Sequence, residues 1–130
     1  MAYYISKTVP GPFDAVVAEV TARLKEQGFG VLTDIDVQST LKAKTGADMA
    51  KYRILGACNP RFAHEALQIE DKLGVLLPCN VIVRETEDRQ VEVASIDPVV
   101  AMERTNNPAL RSTAEEVRRL LTTVVSQLGA

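Results

Sequence analysis

The sequence predicts an α+β fold: a two-layer sandwich with a mainly antiparallel sheet of about five strands and three helices, in the order β-α-β-β-α-β-β-α. Three observations carry this. Segments that alternate with a period of two are interleaved with segments whose apolar residues recur every three or four positions. Glycine or proline marks most of the changeovers. A chain of 130 residues, 46% hydrophobic and 25% charged, has the ordinary composition of one folded domain, spanning 1–130 and burying about two thirds of its unfolded surface.

Residues 3–9 alternate, with Tyr3, Ile5, Lys7 and Val9 on one side, and Pro10-Gly11-Pro12 ends this first strand. Phe13, Val16, Val17, Val20 and Leu24 then recur at helical spacing over 13–27, and Gly28 supplies the stop. Val31, Thr33, Ile35 and Val37 alternate with Asp34 and Asp36 as a half-buried second strand. Residues 39–50 are polar and read as a connection. The run YRILGA at 52–57 has little polar content, which suits a central strand. It ends at Cys58.

Asn59-Pro60 starts the second helix, since asparagine favours the N-cap and proline the first helical position. Its apolar face is Phe62, Ala63, Ala66, Leu67 and Leu73, and Gly74 closes it. After VLLP, strands over 81–86 and 91–96 are joined by the polar turn Glu87-Asp88-Arg89. A loop from Asp97-Pro98 through Asn106-Asn107-Pro108 leads to the last helix, whose stripe is Leu110, Ala114, Val117, Leu121, Val124, Val125 and Leu128. If the helices cover one face of the sheet, a second copy of the chain is an economical cover for the other.

Fifteen Lys and Arg against seventeen Asp and Glu give a net charge of -2, with the basic residues scattered. That argues against a nucleic-acid partner, which wants a basic stripe. No apolar run reaches the ~18 residues that span a bilayer, and MAYYISKTV is not a signal peptide, so no membrane is expected and the cytoplasm is the expected location. In a reducing compartment the two cysteines are free thiols by default. No GxGxxG, P-loop, GxSxG or HExxH pattern occurs, and no cofactor is expected.

The chemistry-bearing feature is a matched pair of dipeptides, Cys58-Asn59 and Cys79-Asn80. At a helix start, unpaired N–H groups and the helix dipole favour a thiolate, which makes Cys58 a candidate nucleophile. The plain alternative is a small side chain packed between strand and helix. In a split β-α-β arrangement Cys79 enters its strand at the end opposite Cys58, about 17 Å away, too far for a disulfide unless VLLP climbs back up the sheet. Zinc is not expected from two cysteines twenty residues apart and the single His64, which reads as a solvated helix residue. A soft metal on both thiols, with Met49 or Met102, has no spacing in its favour. Asp34 and Asp36 suit paired carboxylate chemistry or, more simply, a solvated strand face, and Asp97 suits a turn cap.

YRILGACNP at 52–60, LLPCNVIV at 76–83 and Asp97-Pro98 together resemble the bacterial and archaeal family known as domain of unknown function 302. The resemblance implies a compact α/β two-layer homodimer with no assigned activity. Its motif positions are Cys58, Asn59, Pro60, Pro78, Cys79, Asn80, Asp97 and Pro98. The leading expectation is a homodimeric module binding a small ligand or partner through Cys58, Asn59, Cys79, Asn80 and Asp97. The alternative is a thiol-based redox enzyme or sensor using Cys58, with Cys79 as resolving thiol from the same or the partner subunit. A third reading gives both blocks a purely structural part. Whether the chain is an enzyme is left open by its sequence.

Overall fold

Five strands form one antiparallel sheet in the order β1-β5-β4-β3-β2, in a computed structural model that describes residues 2–129. The strands are β1 (Tyr4–Pro10), β2 (Gly30–Asp36), β3 (Tyr52–Cys58), β4 (Cys79–Glu85) and β5 (Gln90–Ile96). The helices are α1 (Phe13–Glu26), α2 (Val37–Thr45), α3 (Pro60–Ile69), α4 (Pro98–Glu103) and α5 (Arg111–Ser126), with short 3-10 turns at Leu73–Leu76 and Pro108–Leu110.

The core follows from the strand period. Leu55 and Ala57 of β3, Val81 and Val83 of β4, and Val91 and Val93 of β5 point to one face and are fully buried. Val16, Val20 and Leu24 of α1 and Val117, Leu121 and Val124 of α5 close over them. Each of these buried valines and leucines contributes roughly 1.5–3 kcal/mol of burial free energy. Lys7 lies on the same side of β1 as Val9, and its ammonium donates to the carbonyls of Ser126 and Leu128 at 3.1 and 2.6 Å, where α5 ends with unpaired oxygens.

The opposite sheet face carries Tyr4, Ile82, Ala94 and Ile96, half-buried or exposed, with an Arg84–Glu92 ion pair at 2.6 Å. Gly56 also faces this side. A Cβ there would lie 2.1 Å from Thr33 Oγ1 and 2.7 Å from the ring of Pro78, so only glycine lets those two side chains meet over β3.

Several expectations are corrected. The α+β class and the five strands hold, but the described residues form five α-helices rather than three. Residues 37–45 form α2 instead of an open connection, started by Asp36, which accepts from the Ser39 N–H at 3.0 Å, and stopped by the left-handed Gly46. Residues 98–103 form α4 instead of a loop. The second helix ends at Ile69, short of Leu73. A bulge between Val31 and Thr33 flips the second strand, so that Val31 faces the core beside Ala57 while Thr33 sits opposite Gly56 on the other face. The two residues do not share a side.

The topology is not a split β-α-β. β3 and β4 are antiparallel neighbours, with Ala57 opposite Cys79. The chain therefore descends through α3 and climbs back through residues 70–78. Cys58 and Cys79 end at the same edge of the sheet.

Candidate functional site

That edge gathers the three motif segments around Cys58, Cys79 and Asp97. Gly30 of β2 lies opposite Cys58, and Ala57 lies opposite Cys79. The β4–β5 register pairs Val81 with Ser95, and carrying it two residues further brings Cys79 alongside Asp97. One step of about 3.4 Å along β3 and roughly 5 Å across the ladder put the Cα atoms of Cys58 and Cys79 about 6 Å apart. The expected 17 Å separation is overturned, because VLLP does climb back.

Between this edge, α3 and α5 lies a cavity of about 260 Å³. Its walls include Phe29, Ala57, Phe62, Leu77, Met102 and Val117, and Cys58, Asn59 and Cys79 line it as well. The strand ends supply the thiols, α3 presents Phe62, Ala63 and Ala66 along one face, and α5 supplies Thr113 and Val117. Nearly every lining group is apolar.

The two thiols differ in setting. Cys58 is half-buried, while Cys79 is buried. Burial, with a smaller contribution from neighbouring Cys58, pushes the Cys79 thiol up from 9.0 to about 11, because a dry site disfavours the charged form. Cys79 is a neutral thiol throughout the physiological range.

The asparagines also divide. Asn59 occupies the N-cap of α3, yet its side chain makes no capping bond. Its amide instead donates to the Gln27 carbonyl at 3.3 Å and packs beside Gly28, whose φ of +86° suits glycine. This ties the α1–β2 turn to the start of α3 and fixes one rim of the cavity. Asn80 points to the opposite sheet face and lines a separate shallow surface with Tyr52, Ile82 and Arg84.

Asp97 is buried at the same edge but is not among the cavity's lining residues. Its carboxylate accepts from the Val99 N–H at 3.0 Å and the Val100 N–H at 3.4 Å, capping α4, and pairs with Arg118 Nε of α5 at 3.1 Å. It fastens α4 and α5 to the end of β5. Asp34 forms a two-pronged pair with Arg53, which holds its carboxyl below the usual range, and Asp36 caps α2. His64 is exposed on α3. Phe29 and Leu77 were not legible as site residues; a lone aromatic after Gly28 and a leucine before Pro78 are the faint signals they leave.

A larger concavity of about 480 Å³ lies between α4 and α5, lined by Glu103, Asn106, Asn107 and Arg111 among others. It contains neither Cys-Asn block. Among the described residues no helix is long and apolar enough to cross a membrane.

The family model for the domain of unknown function DUF302 matches residues 5–128. A solved structure described as an uncharacterized conserved DUF302 protein from Bacillus stearothermophilus superposes with a TM-score of 0.90 at 25% identity, covering 97% of this chain and 98% of that one. No curated protein matches the chain. With the two Cys-Asn blocks drawn to one sheet edge and a family match over nearly all its length, the chain belongs to the DUF302 family.

Proposed function

We propose that the chain is a binding module that takes a small, mainly apolar molecule in the cavity between the two Cys-Asn blocks. The observation that carries this is the cavity itself: about 260 Å³, walled by Phe29, Phe62, Leu77 and Val117, with Cys58, Asn59 and Cys79 at one side. Ligand sites combine such apolar walls with a few fixed polar groups, and a volume below the ~300–1,000 Å³ of drug-sized sites selects a fragment-sized ligand. Asn59 is held by its bond to Gln27, so the rim is preorganised. Calorimetric titration with indole, run on wild type and Ala63→Phe, tests the reading. Saturable binding that the phenylalanine abolishes supports it; equal heats from both proteins reject it.

The module works as a homodimer in this reading, each copy covering the other's open sheet face. Tyr3 and Leu32 are about two-thirds exposed, and Tyr4 and Ile35 nearly half, which is a large apolar surface for a lone domain. Light scattering at micromolar concentration should give twice the chain mass. A monomer would remove this part of the proposal.

A second reading is favoured by one observation, that both thiols border the same cavity at one end of the sheet. A peroxide would oxidise Cys58 to a sulfenic acid with release of water, and Cys79 would condense with it to a disulfide, releasing a second water. The high proton affinity of Cys79 slows that second step. Mass spectrometry after peroxide treatment decides it: an intrachain bridge supports a sensor, and a sulfinic Cys58 with free Cys79 counts against one.

A further inference from the structure

We propose that the concavity between α4 and α5 binds a small zwitterion of the aliphatic α-amino acid class, with its carboxylate on Arg111, its ammonium on Glu103 and its side chain on the apolar floor. The proposal does not rest on the thiol cavity's taking an apolar molecule.

The concavity measures about 480 Å³, within the ~300–1,000 Å³ of small-molecule sites. Its floor is Val99 and Met102 of α4, Leu110, and Ala114 of α5, all buried. Glu103, the last residue of α4, and Arg111, the first of α5, stand at its rim with their side chains more than half exposed. The segment between them is tied down at several points. Asp97 caps α4. Asn107 accepts from the Ala109 N–H at 3.1 Å and donates to the Ile69 carbonyl at 3.4 Å and to Glu70 Oε1 at 3.2 Å. A rim held this way before a ligand arrives lowers the ordering cost of binding.

Two opposite charges stand together on this rim without closing on each other. Arg111 Nη1 lies 4.0 Å from Glu103 Oε1, and Arg111 Nε lies 3.7 Å from Glu115 Oε2, one turn further along α5. Both distances are too long for a hydrogen bond. Arg53, Arg84 and Arg119, by contrast, each hydrogen-bond a carboxylate, at 2.7, 2.6 and 3.2 Å.

An α-amino acid supplies what this pair lacks. Its carboxylate matches the planar fork of the guanidinium, and its ammonium, one carbon away, reaches across the same short span to Glu103. A simple anion would meet repulsion from Glu103 and Glu115, and a simple cation from Arg111; a molecule carrying both charges is matched at both. The floor of valine, methionine, leucine and alanine selects an aliphatic side chain. Met102, unbranched and adaptable, borders both this concavity and the thiol cavity, so the two are separate compartments that share one wall.

The test is a ¹⁵N chemical-shift titration with L-leucine and with three relatives that each lack one feature: 4-methylpentanoate has no ammonium, isoamylamine no carboxylate, and glycine no apolar side chain. Leucine should saturate, with shifts concentrated at Glu103, Asn106, Arg111 and Ala114. The two singly charged relatives should bind about five-fold more weakly, as the loss of one exposed charge pair requires, and glycine should not saturate. Glu103→Gln should weaken leucine about five-fold while 4-methylpentanoate binds no more weakly than before, and Arg111→Gln should weaken both. Both side chains are exposed, so these variants keep the fold. Leucine that fails to saturate, singly charged relatives that bind as well as leucine, or a Glu103→Gln variant that weakens leucine and 4-methylpentanoate alike would overturn the proposal. Saturable shifts centred on Phe29, Cys58 and Cys79 would overturn it too, placing leucine in the thiol cavity. Indole binding on the same samples separates the two ideas: a protein that binds leucine at this rim but does not bind indole refutes the apolar-ligand reading and leaves this site standing.

Discussion

Raising the pH from 8 to 10.5 should selectively destabilise wild type relative to Cys79→Ala. In the folded chain the Cys79 thiol is pushed to about 11 by burial, against 9.0 ordinarily. The unfolded chain therefore releases this proton as pH rises past about 9, while the native chain keeps it until about 11. Between these values the unfolded state binds fewer protons, so stability falls with pH. The contribution is fully present below pH 9 and is lost towards pH 11. At about 1.4 kcal/mol per pH unit of separation, the loss is about 2 kcal/mol at pH 10.5 and approaches roughly 3 kcal/mol at its limit. Other groups titrate in this range, so the measured quantity is the difference between wild type and Cys79→Ala in urea unfolding at each pH. The difference should be flat up to about pH 8.5 and then move by about 2 kcal/mol against wild type. A difference that stays constant to pH 10.5 would show that Cys79 is not buried at this sheet edge, and the cavity would lose one of its thiols.

Three further outcomes follow from single residues. Asp97→Ala removes the cap of α4 and the Arg118 partner, and should cost about 2–3 kcal/mol, or roughly 9 °C in Tm; Asp97→Asn, which still accepts from the Val99 N–H, should cost about half, and equal losses would deny the ion pair a share. Gly56→Ala places a methyl on Thr33 and Pro78 and should cost about 2–3 kcal/mol in chemical denaturation; adding Thr33→Ala should recover part of it, and simple additivity would contradict the close approach. Asp34→Ala should change stability at neutral pH by less than about 1 kcal/mol, because its pair with Arg53 is partly solvent-exposed. Arg53 holds the Asp34 carboxyl below its usual value, so that small contribution is present above about pH 4 and disappears as pH falls through the lowered value.

Elements whose apolar residues are both periodic and buried could be read directly from the sequence. Phe13, Val16, Val20 and Leu24 mark α1, and Val91 and Val93 mark β5, because each contributes to the shared core. α2 left no such trace, since none of its residues is buried; it is held by its Asp36 cap and Gly46 stop. α4 carries the same start signal as α3, a cap residue followed by proline, but six residues are too few to show a helical period. The bulge at Leu32 has no local signature, and its effect on Thr33 emerges only through pairing with Gly56.

The candidate site was half legible. Cys58 and Cys79 stood out as spelled motifs, but their convergence depends on residues 70–78 returning α3 to the edge it left. That return follows from β4 pairing antiparallel to β3, a long-range choice that local periodicity does not encode. Asn80 shares the spelling of Asn59 yet faces the other side, since one residue along a strand reverses direction. Met102 joined the site from a helix the sequence did not reveal.

The central claim is that the cavity between the two Cys-Asn blocks is the ligand site. Its most direct test is chemical-shift mapping of the ¹⁵N-labelled protein with increasing indole. Saturable shifts should concentrate at Phe29, Ala57, Cys58, Ala63 and Cys79, with Asn80, Ile82 and Arg84 on the opposite face unmoved. Shifts centred on the open face, or in the concavity between α4 and α5 at Glu103 and Asn106, would contradict the account.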